Sequence, residues 1–165
     1  MIAARVDHGG RRIVGISDLA VGRGPDLLIT YALGSCLGIA IHDPVARVGG
    51  LLHVMLPDST IDRNKAQATP AMFVDTGVPL LFRSCYAAGA VKQRLVVKVA
   101  GGANSQEEDF FQVGKRNFLR LRELMWKNGV LLSASDVGGS QSRTMSLDIS
   151  TGAVLVRMNG SERIL

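Results

Sequence analysis

Aromatic residues are few in this 165-residue chain: Phe, Trp and Tyr make up 5% of it. A core must therefore rest on Leu, Val, Ile, Ala and Met. No apolar run approaches the roughly 20 residues that a membrane-spanning helix needs, so no membrane insertion is expected. The opening "MIAARVDHGGRR" holds no apolar segment of the secretory-signal kind, and the expected location is cytoplasmic. Cysteine is scarce, with only Cys36 and Cys85. Two cysteines in such a chain point to thiols rather than a disulfide. There is no CxxC, no HExxH and no Cys/His cluster at ligand spacing, so no metal is expected. Two Gly-Gly stretches fit neither GxGxxG nor the P-loop pattern, and no nucleotide binding is expected. The formal charge of +5 comes from scattered basic residues with no aromatic stripe among them. That argues against a nucleic-acid surface. It leaves a solvated basic face, or one suited to an acidic protein partner.

What remains is ordinary globular composition, 47% hydrophobic and 20% charged. The length suits one domain with a proper core. With no linker-like or low-complexity segment, residues 1–165 read as a single domain whose core spans about 12–158. Strands are expected at 12–19, 27–33, 36–42, 48–56, 94–102 and 130–139, and in a hairpin from "RTMSLDI" to "AVLVRM". The polar stretch 57–70 reads as a loop. Helical apolar spacing runs over 71–88, with Pro79 expected in an early turn of a second helix. The clearest helix has Phe118, Leu121, Leu124 and Met125 on one face and ends at Asn128-Gly129. The order implies a mixed α/β (α+β) fold, with mixed and antiparallel β-sheets covered by two main helices that flank them.

The chemistry concentrates in "ALGSCLGIAIHDPVARVGGLLH", residues 32–53. With "DPVA" as a four-residue turn, 36–42 and 47–53 form a hairpin. A regular register then places Cys36 opposite His53, with Cβ atoms about 4.5–5.5 Å apart. A bulge at Gly49-Gly50 would shift that register. His42 lies roughly 20 Å along the strand from Cys36 and is expected to serve the turn beside Asp43. A thiolate is the nucleophilic form of cysteine. An adjacent imidazolium stabilises it and can then protonate a leaving amine. The glycine-containing turn before Cys36, with Gly34 and Ser35, offers backbone N–H groups to an oxyanion. No Asp or Glu lies between Asp26 and Cys36, and Thr30 is the nearest hydroxyl able to accept the imidazole N–H. A plainer reading stays open: cysteine in an apolar strand is commonly core, and so is a histidine there. Cys85, on an apolar helix face with no histidine nearby, fits the core reading better.

Taken together, "ITYALGSCLGIAIHDP", "GGLLHVMLP", "KVAGGAN", "VGKRN", "SDVGGSQSR" and "TGAVLV" resemble the CheD family, the chemoreceptor glutamine deamidases of bacterial and archaeal chemotaxis. The resemblance covers about 12–158. It implies a CheD-like cysteine hydrolase fold, a layered α/β sandwich of those sheets, similar to that of deamidating toxins. It implies a catalytic Cys36, His53 and Thr30, a thioester intermediate, and no metal or organic cofactor. The substrates implied are glutamine side chains on the cytoplasmic helices of chemoreceptors, and a CheC-type phosphatase is an implied partner. A monomer is the simpler expectation. One position departs from the family pattern: Ser142 stands before Arg143 where a glycine is usual. The Gly101-Gly102 and Gly138-Gly139 stretches either border the substrate groove, with Asn104 as an amide reader, or are turns needing positive φ. Two other functions stay open: a non-catalytic adaptor that binds receptors or a CheC-type phosphatase, and a cysteine hydrolase with another acyl substrate.

Overall fold

In the computed structural model, which describes residues 10–104 and 111–165, strands lead and helices fill the connections. The order is β1 (Arg11–Ile13), β2 (Asp18–Arg23), β3 (Leu27–Leu33), β4 (Leu37–Asp43), β5 (Val48–Val54), α1 (Arg63–Ala68), α2 (Val74–Ala87), β6 (Val96–Gly101), α3 (Val113–Lys127), β7 (Leu132–Val137), β8 (Arg143–Asp148), β9 (Val154–Met158) and β10 (Ser161–Ile164). They build two five-stranded sheets, β1-β3-β8-β9-β10 and β2-β5-β4-β6-β7. Each mixes directions: β1 with β3 and β6 with β7 are parallel, and the other pairs are antiparallel.

Every residue of β4 and β5 is buried. Their alternation explains why, since each face of a strand is packed separately. Leu37, Ile39, Ile41, Leu52 and Val54 face the helices and pack with Val78, Leu81 and Cys85 of α2 and Leu121 and Met125 of α3. Cys36, Ala40 and Leu51 face the other sheet and pack with Leu28, Leu33, Met145 and Leu147. Helices, one sheet, then the second sheet form three layers. Each fully buried Leu, Ile or Val stabilises the stack by roughly 1.5–3 kcal/mol.

Four expectations need correction. The single strand over 12–19 is two, β1 and β2, in different sheets. The link between them is tied to both layers, by Val14 N–H on Ile29 O at 2.7 Å and Ser17 N–H on His53 O at 2.9 Å. The stretch 57–70 is not a plain loop. It holds α1 and short 3-10 turns at Ser59–Ile61 and Pro70–Met72. Asp58 and Asp62 cap the first two through side-chain oxygens on Thr60 and Lys65 N–H. Pro79 starts no second helix but sits inside a continuous α2. Burial of Val78, Leu81 and Cys85 against the sheet offsets the roughly 3 kcal/mol that an interior proline costs. Finally, β10 lies outside the expected strands. It pairs with β9 across Asn159-Gly160, both with positive φ.

Candidate active site

The β4–β5 hairpin sets the site, in a register two residues from the expected one. Asp43 pairs with Val48, His42 with Gly49 and Gly38 with His53. The four-residue turn is Pro44 to Arg47, with Arg47 at φ +54°, so Asp43 remains in the strand. Asp43 is held there because its carboxylate accepts Val45 and Ala46 N–H from the turn and Val91 N–H and Arg94 from outside it. No bulge forms at Gly49-Gly50, where the ladder runs on through Ile41. A shift of two leaves side chains on the same face. Cys36 packs in the inter-sheet layer, but it lies in the bend just before β4 rather than in the strand, and Gly38 takes the expected place opposite His53.

His53 is 2% exposed and meets Thr30, 0% exposed, from the facing sheet. Thr30 Oγ1 lies 2.7 Å from His53 Nδ1 and donates its proton to Val14 O at 2.7 Å. A hydroxyl has one proton to give. Because Val14 receives it, Thr30 must accept, and Nδ1 of His53 carries the hydrogen. The tautomer is thereby fixed, with Nε2 bare. Nε2 is buried and has no hydrogen-bond partner among the described residues. Burial pushes the imidazole down from its ordinary 6.5 to about 4. The ring is neutral at pH 7 and rests as a base rather than as an imidazolium. The cause is desolvation of the charged ring. The strand carrying Thr30 is bulged between Thr30 and Leu33, with Ala32 at φ +58°. Such bulges re-aim side chains near sites.

Cys36, 9% exposed, follows the bend Gly34-Ser35. The carbonyls of Gly34, Ser35 and Cys36 are each held: by Ala103 N–H at 2.8 Å, Asn117 Nδ2 at 3.0 Å and Gly102 N–H at 2.9 Å. Gly101 is required here, because a Cβ on it would lie 2.2 Å from Cys36 O and its φ is +113°. Both Gly-Gly stretches are turns with positive φ, and they bond to each other. Gly138 N–H donates to Gly101 O at 3.0 Å, and Asn104 N–H to Gly139 O at 2.9 Å. Arg143, buried between them, donates to Gly138 O at 2.8 Å and Gly101 O at 3.3 Å and pairs with Asp136 at 3.3 Å. Asn104 thus enters the site region through its backbone.

Two residues singled out in the sequence fall elsewhere. His42 does not serve its own turn: its Nε2 bonds Ile149 O at 2.8 Å, at the far end of the facing sheet. Cys85 is buried under α2, where desolvation pushes its thiol up to about 12. Asn117 and Arg143 are site residues that sequence reasoning passes over, although both lie in the motifs quoted above. Asn117 sits where helical spacing puts an apolar residue, with buried Gly114 and Leu121 one turn to either side. That misplaced polarity is the signal that points to it.

Comparison with known proteins decides the family. A protein of Syntrophus aciditrophicus named "Probable chemoreceptor glutamine deamidase CheD 1" is 51% identical over 153 residues, 92% of this chain and 96% of its own. The chain belongs to the CheD family. Proteins named "Probable chemoreceptor glutamine deamidase CheD" in Solibacter usitatus and Pyrococcus abyssi are 47% and 44% identical, over 93% and 87% of this chain and 92% and 89% of theirs. The family's sequence model, described as CheD chemotactic sensory transduction, matches residues 55–158. Thr30, Cys36 and His53 lie before that segment. A Neisseria meningitidis protein, NMB0706 of the DUF152 family, superposes on 78% of this CheD-family chain and 63% of its own, at 10% identity and a TM-score of 0.41, too weak a likeness to carry a shared fold. No described helix is long and apolar enough to cross a membrane.

Proposed function

We propose that this chain is a cysteine-dependent chemoreceptor glutamine deamidase, with Cys36 as nucleophile, His53 as general base and acid, and Thr30 as the group that orients His53. The observation that carries the reading is the pair of bonds at Thr30, which leave a bare, neutral Nε2 in the layer that holds Cys36. The names of the relatives give the substrate class, glutamine of a chemoreceptor, and the family resemblance places it on the receptor's cytoplasmic helices.

In this reading, the Cys36 thiol gives its proton to His53 Nε2 and its sulfur attacks the carboxamide carbon. Backbone N–H near Ser35 serves the oxyanion, whereas the expected Gly34 N–H is taken by Ala32 O at 3.0 Å. The imidazolium returns the proton to the departing nitrogen, ammonia leaves, and a thioester remains. Water then gives a proton to Nε2 while its oxygen adds to the thioester. Glutamate leaves and the thiol is restored. A neutral base suits this order, because each cycle begins with an empty Nε2.

The test is mass spectrometry of receptor cytoplasmic helices incubated with wild-type protein or Cys36→Ala. The expected result is conversion of glutamine to glutamate, without backbone cleavage, by wild type alone. Loss of that conversion in Cys36→Ala should reach at least about 1,000-fold, as removal of a nucleophile does. Wild-type protein that binds receptor or a CheC-type phosphatase and converts nothing would instead mark an adaptor.

A further inference from the structure

We infer that Asn117 is a positioning residue, which sets the spacing between the Cys36 segment and the His53 strand. For the roles of those two groups this rests on the deamidase reading above. Of the three tethered carbonyls around Cys36, the outer two are held by backbone N–H groups of Ala103 and Gly102. Only the middle one, Ser35 O, depends on a side chain. The same Nδ2 also donates to Met55 O at 3.0 Å. Met55 follows the residue after His53, and its own N–H is fixed on Met72 O at 2.8 Å. One amide nitrogen therefore bridges the segment that presents the nucleophile to the segment that presents the base.

The chemistry of asparagine fits this place. Its amide nitrogen carries two hydrogens, and two carbonyls are waiting for them. Serine or threonine would satisfy one, and an ionised aspartate neither. Turning the amide over would set Oδ1 against both carbonyl oxygens, so its orientation follows from its partners. The helix holds the amide rigidly. Asn117 is 0% exposed. One turn earlier, Gly114 lies so close to the Gly102 and Ala103 carbonyls that a Cβ would be 2.5 Å from each. Asn117 Oδ1 is buried with no hydrogen-bond partner among the described residues. Leaving that oxygen without a partner costs free energy, which the two carbonyl bonds of its amide nitrogen offset.

Two variants test this, Asn117→Asp, which keeps the shape and removes the donors, and Asn117→Ser, which keeps one donor and no charge. Folding is read by circular dichroism, turnover by kcat and KM on receptor helices, and Cys36 itself by the pH profile of its alkylation with iodoacetamide, mapped by peptide. The expected result for Asn117→Asp is a folded protein whose kcat falls about 100-fold, the size of effect that a 1 Å misplacement produces. KM stays within about twofold, because substrate binding is not what was removed. The alkylation profile moves to that of His53→Ala, and Asn117→Ser lies between. Wild-type kcat in folded Asn117→Asp overturns the inference. So does a reduced kcat with a wild-type alkylation profile, and so does failure of both variants to fold, which makes the residue structural. The alkylation arm needs no receptor. If wild-type protein deamidates nothing, the deamidase reading fails while the profile still decides the role of Asn117.

Discussion

At the turn end of the β4–β5 hairpin, the fully buried Asp43 carboxylate takes N–H groups from Val45, Ala46 and Val91 and pairs with Arg94 at 2.8 Å. Its neighbour His42 bonds Ile149 O. At the other end, the buried polar groups are left short. Five buried side-chain atoms lack a hydrogen bond among the described residues. Two of them, Arg120 Nε and Arg143 Nε, still face carboxylates at 3.4 and 3.3 Å. The remaining three are Ser17 Oγ, His53 Nε2 and Asn117 Oδ1. Ser17 bonds His53 O, and Asn117 bonds the carbonyls of Ser35 and Met55, so all three belong to the Cys36 end. A satisfied buried network stabilises. An unsatisfied one costs free energy and survives where the bare atom has work to do. The same two strands carry one of each.

The comparison is broken most strongly at Asp43. Burial alone would raise its pKa, but the Arg94 guanidinium and the N–H groups of Ala46, Val91 and Val45 hold it well below the usual carboxylate range. Asp43→Ala should cost about 3 kcal/mol, the low end of the range for breaking a buried pair because Arg94 is partly exposed, with three N–H groups and Arg94 losing their acceptor. Urea unfolding measures it, and kcat at a temperature where the variant is folded should stay near wild type. Little change in the unfolding midpoint would mean that the turn end is not the anchor.

His53 makes the opposite prediction, since its burial is a liability. Its folded pKa of about 4 lies below the ordinary 6.5, so the unfolded chain binds the proton first. Stability is full above pH 6.5, falls as pH drops toward 4, and is constant below that as far as this residue is concerned. The total is about 3 kcal/mol from the two values. His53→Gln should lose most of this slope. The quantity to compare is the change in unfolding free energy between pH 7 and pH 4.5 in the two proteins. Equal slopes would show that the imidazole is solvated and that its bare Nε2 is not held in an apolar layer.

Much of this is legible in the sequence. Alternation and turn residues locate β3, β4, β5, β8 and β9, and the shared face of Cys36 and His53 follows from strand periodicity, whereas Thr30, expected on an adjoining strand, reaches His53 from the facing sheet. The exact partner of His53 does not follow, because the turn could begin at Asp43 or after it, and what settles it is Arg94, 51 positions away. Face survives the error because the shift is even. His42 is misread for the same reason, since its partner Ile149 is 107 positions distant. The capped helix α1 and the Asn159-Gly160 hairpin are signalled locally, by Asp62 and by an Asn-Gly pair, but neither carries an apolar face for periodicity to find. Asn117 and Arg143 act through long-range bonds to backbone, which no spacing rule encodes.

Thr30 offers the finest cut, because its hydroxyl both donates and accepts at the end where His53 Nε2 is bare. Thr30→Val keeps the shape, deprives Val14 O of its donor, and takes away the acceptor of His53 Nδ1–H. The imidazole is then free to place its hydrogen on Nε2, where it can no longer accept the Cys36 proton. Turnover should fall about 10- to 100-fold, less than the 10²–10⁴ that a general base contributes in full, because the correct tautomer remains partly populated. Stability should fall by roughly 1–3 kcal/mol through the unpaired carbonyl and ring N–H. Thr30→Ser restores both bonds and should recover most of the activity. Nitrogen NMR of labelled His53 reads the tautomer directly: hydrogen on Nδ1 in wild type and Thr30→Ser, and a mixture in Thr30→Val. A Thr30→Val protein with wild-type turnover and hydrogen still on Nδ1 would mean that some other contact orients the ring. The comparison between the two hairpin ends would then lose its link to catalysis, since the bare Nε2 would not depend on the hydroxyl that now explains it.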